Sequence, residues 1–234
     1  MPADVNKLLK LTHEDAFKQW LAVPGEWVEE PNVRRGGESG VMRIMTTTGK
    51  MLYRKQQVGH VYRSWHYPFG YPTAMREKAV LLACAALNVA VPKLVYADCI
   101  KVSGTWHAQL ITEALDGFSS LEDCYARGDE LQWGEALHLR ILSEFGSTLA
   151  RFNLGRWQHG CVRLKHAFVR LQGEQIEIAL IDLEKSKKKF SAKQAARNDI
   201  LQLGRHIHWD KAQWRAFLQG HAATFGSELI GAEK

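Results

Sequence analysis

The sequence predicts an α+β chain in two parts, a sheet-rich first half and a helical second half, and two observations carry that expectation. Between Val28 and Leu115, runs of strand texture are punctuated by glycine-bearing turns around a single helical stretch. Beyond Asp116-Gly117 the apolar period changes to that of amphipathic helices. With 234 residues, of which 46% are hydrophobic and 24% charged, the chain has the balance of one large folded unit with a core and not that of a disordered polymer.

Taken in order, the segment to about Val23 places Leu8, Leu9, Phe17, Trp20 and Leu21 at helical spacing, and Thr12 before His13-Glu14-Asp15 reads as an N-cap with an acidic first turn. Three antiparallel strands are expected from Val28 to Gln57, with Gly36, Gly37 and Gly40 near the first turn and Thr48-Gly49-Lys50 at the second. Val58 to Pro72 reads as an ordered loop. Its Tyr62, Trp65, His66, Tyr67 and Phe69 either offer stacking surfaces to a sugar or pack the linker against the sheet. Thr73 to Leu87 is a helix carrying Glu77 and stopping at Asn88, and Val91–Cys99 with Trp106–Leu115 bring the sheet to about five strands. The second half begins with a short helix, Ser119 to Ala126, and a long one, Glu130 to Leu154, striped by Leu137, Ile141, Leu142, Phe145, Leu149 and Phe152. Arg156 to His166 has no clear period. Phe168–Leu171 and Ile176–Ile181 form a hairpin about Gln172-Gly173-Glu174, and Arg197-Asn198-Asp199-Ile200 begins one of the closing helices.

Composition narrows the function classes. Cys84, Cys99, Cys124 and Cys161 form no CxxC pair, so their spacing indicates neither a zinc site nor a disulfide framework. A formal charge of +6 and a pI near 9.1 favour anionic partners: nucleotides, phosphorylated glycans or an acidic membrane surface. No recognised basic motif accompanies that charge, so nucleic acid is not an expected partner. No run approaches the roughly 18 apolar residues of a spanning helix, and Met1 to Lys10 lacks the apolar block of a signal peptide, so a cytoplasmic protein is expected. Lys185, Lys187, Lys188 and Lys189 are either a solvated run or an attractor for an acidic glycan or the inner-membrane surface.

The order of elements is itself informative. A strand, a glycine-rich turn, a strand, a lysine-bearing strand, a glutamate-bearing helix and two strands precede a helical half with a polar loop and a strand ending in Asp. This order resembles the protein-kinase fold, and within it the lipopolysaccharide core kinases of the Kdo/WaaP group, in particular the InaA-type branch. The residues carrying the resemblance are Lys55-Gln56-Gln57-Val58-Gly59-His60, Arg156-Trp157-Gln158-His159-Gly160-Cys161, Lys165-His166 and Ile181-Asp182-Leu183-Glu184. The resemblance implies one kinase-like domain over residues 1–234: a small antiparallel-sheet lobe with one main helix (1–115) and a larger, mainly helical lobe (116–234), with ATP and Mg²⁺ between them.

Phosphoryl transfer asks a protein for cations and directed donors around an oligophosphate. On the resemblance, Gly36, Gly37 and Gly40 let backbone N–H groups approach phosphates; Lys55, held by Glu77, binds the α and β phosphates; and backbone groups near Glu113, Ala114 and Leu115 bond adenine. Asp182 is the Mg²⁺ ligand at the strand end, in an Asp-Leu-Glu sequence where most kinases have Asp-Phe-Gly. Arg163 stabilises transferred charge, and His166, standing where kinases place a metal-binding Asn, substitutes for it as a second Mg²⁺ ligand or as a hydrogen-bond donor. Asp199 braces the polar loop by accepting backbone N–H bonds, the alternative being an exposed first-turn carboxylate. Cys161 departs from the pattern, because kinases place there the Asp that orients the acceptor hydroxyl. Two functions therefore stay open: ATP-dependent transfer to a hydroxyl of a lipopolysaccharide sugar or other glycan, or a pseudokinase that binds ATP without turnover as a regulatory or stress-response protein.

Overall fold

The computed structural model describes residues 2–34 and 37–229. The chain divides into two compact units. One comprises residues up to Leu82 together with Pro92–Ala114, and the other comprises Ala83–Val91 with the chain from Leu115 onward.

The first unit opens with α1 (Val5–Leu8) and α2 (His13–Ala22). Thr12 caps α2 by position, but its hydroxyl donates to Asp15 Oδ2 at 2.6 Å instead of accepting a backbone N–H. Then follow β1 (Glu26–Arg34), β2 (Gly37–Met45), β3 (Met51–Val58), the short pair β4 (Val61–Tyr62) and β5 (Tyr71–Pro72), α3 (Thr73–Ala86), β6 (Leu94–Val102) and β7 (Thr105–Glu113). The five long strands form one antiparallel sheet in the order β1-β2-β3-β7-β6.

Strand alternation gives the sheet two different faces. On one, Ile44, Leu52 and Ile111 bury against Trp20, Ala16, Leu8 and Ala3, each large side chain contributing about 1.5–3 kcal/mol by leaving water. On the other lie Lys55 and Gln57, facing α3. Part of the aromatic segment packs on itself and on the sheet: Tyr67 stacks on Tyr71 at 4.4 Å, Tyr71 meets Trp106 edge-on at 5.6 Å, and the Arg76 guanidinium sits over Tyr62 at 4.6 Å. Trp65 and Phe69 point outward, 95% and 94% exposed.

In the second unit, β8 (Ser119–Ser120), α4 (Leu121–Arg127) and α5 (Asp129–Leu154) are followed by β9 (Trp157–Gln158), β10 (Ala167–Gln172), β11 (Gln175–Leu180) and β12 (Lys187–Lys188), and α6 (Ala192–Gly204) and α7 (Lys211–Phe225) complete it. α5 is broken at Gly134, whose φ of 70° interrupts the helix. The expected hairpin forms, with Gln172 opposite Gln175. α5 and α7 pack so closely that a Cβ on Gly146 would strike the Phe217 carbonyl, and one on Gly220 the Ser143 carbonyl. Phe145, Trp209, Trp214 and Phe217 fill the adjoining core. Ala83–Val91 joins this unit because Leu180 N–H donates to Ala90 O at 2.9 Å, a grouping that a boundary drawn only at Leu115 does not foresee. Among the described residues, no helix is long and apolar enough to cross a membrane.

The expectation that Arg197 to Ile200 begins a helix is corrected. α6 starts at Ala192, five residues earlier, because the Ser191 hydroxyl accepts from Gln194 N–H at 3.1 Å as its N-cap. Asp199 therefore lies inside the helix on its buried face.

Candidate active site

In the first unit, Lys55 Nζ lies 2.7 Å from Glu77 Oε2, with both side chains largely buried. The register that brings them together is set two residues along β3. There the Gln57 carboxamide oxygen accepts from Ala74 N–H at 2.9 Å and from the Thr73 hydroxyl at 3.0 Å, capping the start of α3. Two strand residues advance about 6.6 Å and four helical residues about 6 Å, so fixing Gln57 at Thr73 and Ala74 sets Lys55 opposite Glu77. Gln57 belongs to the motif but was not foreseen as the residue that seats the helix.

The neighbouring cations do other work. Arg54 points to the opposite face, where it is buried and donates to the carbonyls of Trp20, Leu21 and Val23 at the end of α2; burial lowers its pKa. Lys78 donates to Ala97 O at 3.0 Å.

The glycines and the end of β7, expected to contact the nucleotide, make the following contacts. Gly36 lies outside the described residues. Gly37 and Gly40 are strand residues whose missing Cβ atoms are accounted for within the unit: a Cβ on Gly37 would come within 2.6 Å of Gly59 C and His60 N, and one on Gly40 within 2.8 Å of Pro31 N. Two backbone donors near the end of β7, those of Glu113 and Ala114, are committed within the unit. Glu113 N–H donates to Lys93 O at 2.9 Å and Ala114 N–H to Met51 O at 3.0 Å, while Leu115 O accepts from Phe118 N–H at 3.2 Å. The Glu113 carboxylate pairs with Lys50 at 2.7 Å and Lys93 at 3.4 Å. These cations hold its pKa low against the opposing effect of burial.

In the second unit the polar loop is held from beneath. Asp199 Oδ2 accepts from His159 N–H at 2.8 Å and from Asn153 Nδ2 at 2.9 Å, and its Oδ1 accepts from Gly160 N–H at 3.0 Å. Asp199 is fully buried, which excludes the exposed first-turn carboxylate. Burial pushes its pKa up to about 6, although these donors oppose the shift. Asn153, itself buried, also donates to Trp157 O at 2.9 Å. It was not foreseen, and its signal was an amide among the apolar positions closing the long helix.

Two stacked histidines, 5.8 Å apart and nearly parallel, line the loop. His159 Nε2–H donates to Ile181 O at 3.0 Å, leaving Nδ1 buried without a partner, and burial pushes its pKa down to about 4. His166 Nδ1–H donates to Cys161 O at 2.6 Å, which turns the Nε2 lone pair toward Asp182 Oδ2 at 3.4 Å. Burial also lowers the His166 pKa, against the pull of the Asp182 carboxylate.

Asp182 follows β11 with φ 57°, a left-handed conformation costly for a residue with a Cβ. Cys161 Sγ accepts from Lys185 Nζ at 3.7 Å. Arg163 is exposed, and its carbonyl accepts from His166 N–H at 3.0 Å. One ligand atom each from Cys161, His166 and Asp182 lie within 4.8 Å of one another. The lysines beyond them are partly structural: Lys187 and Lys188 form β12 against β9, and Lys188 Nζ sits 5.4 Å over the Trp157 ring.

Comparison with known proteins places these residues in a family. The chain is 36% identical to Protein InaA of Escherichia coli (strain K12) over 201 residues, covering 86% of this chain and 92% of that protein. It is similar to the solved structure of WaaP in complex with acyl carrier protein, with a TM-score of 0.68 at 15% identity over 88% of this chain and 82% of that one. It is also similar to the amicoumacin kinase hAmiN in complex with AMP-PNP, Ca²⁺ and Ami, with a TM-score of 0.56 at 12% identity over 97% and 80%. Both likenesses show a protein-kinase-like fold, built here from an antiparallel-sheet unit and a mainly helical unit. The profile of the lipopolysaccharide kinase (Kdo/WaaP) family matches residues 18–221, and the chain belongs to that family.

Proposed function

We propose that the protein transfers the γ-phosphoryl group of ATP to a hydroxyl of a glycan, a lipopolysaccharide sugar being the class favoured by its family and by its charge of +6. The observation that carries this reading is the buried Lys55–Glu77 pair, seated by Gln57, in a kinase-family chain. A lysine held by a carboxylate is a preorganised point charge for nucleotide phosphates, and it requires no reorganisation when charge develops on their oxygens.

Asp182 supplies the carboxylate oxygen that Mg²⁺ favours. A nucleotide brings most of that ion's remaining oxygens, so one protein carboxylate fits. When bound, Mg²⁺ neutralises charge on the β and γ phosphates. Arg163 reaches outward for the transferred group, and Asp199, through His159 and Gly160, fixes the backbone that presents it. In the transfer, the acceptor oxygen bonds to the γ-phosphorus, the bond to the β-phosphate oxygen breaks, and the hydroxyl proton leaves to solvent.

Cys161 favours the second reading, ATP binding without turnover in a regulatory role, because a thiol is a weak hydrogen-bond acceptor for an incoming hydroxyl. Labelled ATP with Mg²⁺ over a panel of core-sugar acceptors separates the two. Transfer abolished by Lys55→Met and Asp182→Asn supports the enzyme, whereas saturable ATP binding with no transfer to any acceptor supports the binding protein.

A further inference from the structure

We infer that Cys161, His166 and Asp182 form a binding site for a borderline transition-metal ion of the Zn²⁺ type, held by sulfur, nitrogen and oxygen. The cysteine spacing gave no hint of it, because the ligands come from the polar loop, the turn after it and the end of β11, and only folding brings them within 4.8 Å.

The hydrogen-bond pattern argues for a cation here. The carbonyl of Cys161 can only accept, so His166 carries a proton on Nδ1, and its neutral ring then has the lone pair on Nε2. That lone pair faces the Asp182 carboxylate, another acceptor, at 3.4 Å. Two acceptors turned on each other need a proton or a metal between them. The bond from Nδ1–H to a backbone carbonyl is also the outer contact that orients metal-ligating histidines.

The donor set chooses the ion. In the nucleotide-free protein thiolate and imidazole suit Zn²⁺ and its neighbours, whereas Mg²⁺, without the phosphate oxygens a nucleotide would bring, finds one oxygen among the three donors. A tetrahedral ion at about 2.3 Å from sulfur and about 2.0–2.2 Å from nitrogen and oxygen spaces its ligands roughly 3.3–3.7 Å apart, leaving a fourth position for water. The His166–Asp182 separation already matches. Cys161 is only partly buried and closes the remaining gap, exchanging its contact with Lys185 Nζ for the ion and releasing the thiol proton to solvent.

Co²⁺ is the probe, added to the full chain stripped with chelator and without nucleotide. The expected result is a thiolate-to-cobalt charge-transfer band saturating at one equivalent per chain and displaced by one equivalent of Zn²⁺. Cys161→Ser, nearly isosteric, removes the band. His166→Gln and Asp182→Asn weaken binding by more than the about 10- to 100-fold that loss of an outer partner costs. Cys99→Ser leaves the band intact. Absence of the band, its persistence in Cys161→Ser, or its loss in Cys99→Ser overturns the site.

Discussion

Lys55 and Arg54 are adjacent cations on one strand with opposite fates, because successive side chains leave a strand on opposite faces. Lys55→Met should lower transfer at least about 100-fold, the scale on which single electrostatic donors act, and should also lower the denaturation midpoint, because it leaves Glu77 buried without the Lys55 cation. Arg54→Met should act on stability alone: it strips the carbonyls closing α2 of a charged donor and costs about 2 kcal/mol or more, read by chemical denaturation. The pairing of Lys55 with Glu77 was legible because both sit in a recognisable order of elements. The role of Gln57 was not, since an amide carries no periodicity and its partner, Ala74 N–H, is a backbone group. At the departed position, Cys161→Asp restores the hydrogen-bond acceptor that kinases use and should raise transfer by about 10² to 10⁴. No gain in a purified, folded variant would show that the acceptor proton is handled elsewhere.

Elements owe their placement to contacts whose sequence signals differ in strength. The strands of the sheet and the β10–β11 hairpin were readable from alternation and turn residues. The start of α6 was misplaced although Ser191-x-x-Gln194 is an N-cap pattern, because the lysine-rich stretch before it hides the onset of apolar period. From its start at Ala192, α6 carries Asp199 on its buried face, beneath the loop. Asp199→Ala should leave the N–H groups of His159 and Gly160 without their acceptor, at a cost of about 1–3 kcal/mol each. Faster hydrogen exchange at those two amides, beyond the change at α7 amides, distinguishes loss of the brace from general destabilisation. The glycine contact between α5 and α7 was invisible beforehand, since nothing in a lone glycine names its neighbour. Gly220→Ala forces the helices apart at the Ser143 carbonyl and should cost about 1–3 kcal/mol in the denaturation midpoint.

For the molecule taken whole, buried titratable groups set how stability follows pH. His159 and His221, both pushed down to about 4 by burial, bind protons more readily in the unfolded chain. Each therefore makes stability rise with pH from about 4 toward the ordinary histidine value of about 6.5. Asp199, raised to about 6, acts in the opposite sense: its contribution is present below the ordinary carboxylate value and falls as pH climbs to about 6. Two histidines against one carboxylate leave an uptake of about one proton on unfolding from these three groups, and His138 and His166, whose pKa values burial also lowers, act in the same sense, so stability should rise by at least on the order of 1.4 kcal/mol per pH unit across that window. Denaturation midpoints that stay flat or fall from about pH 4.5 to 6 would contradict this balance.

The chain's two units were legible as a change of texture near Gly117, but the allegiance of Ala83–Val91 was not, because α3 runs unbroken through Leu82. The proposed function assigns one nucleotide to Lys55 of the first unit and Asp182 of the second. Calorimetric titration of the wild-type protein with Mg²⁺ and a nonhydrolysable ATP analogue should show one saturable site, weakened at least about tenfold by Lys55→Met in the first unit and likewise by Asp182→Asn in the second, each variant forfeiting a charged contact. Binding that is absent in the wild type, or that neither substitution weakens, would contradict the assignment of these residues to ATP.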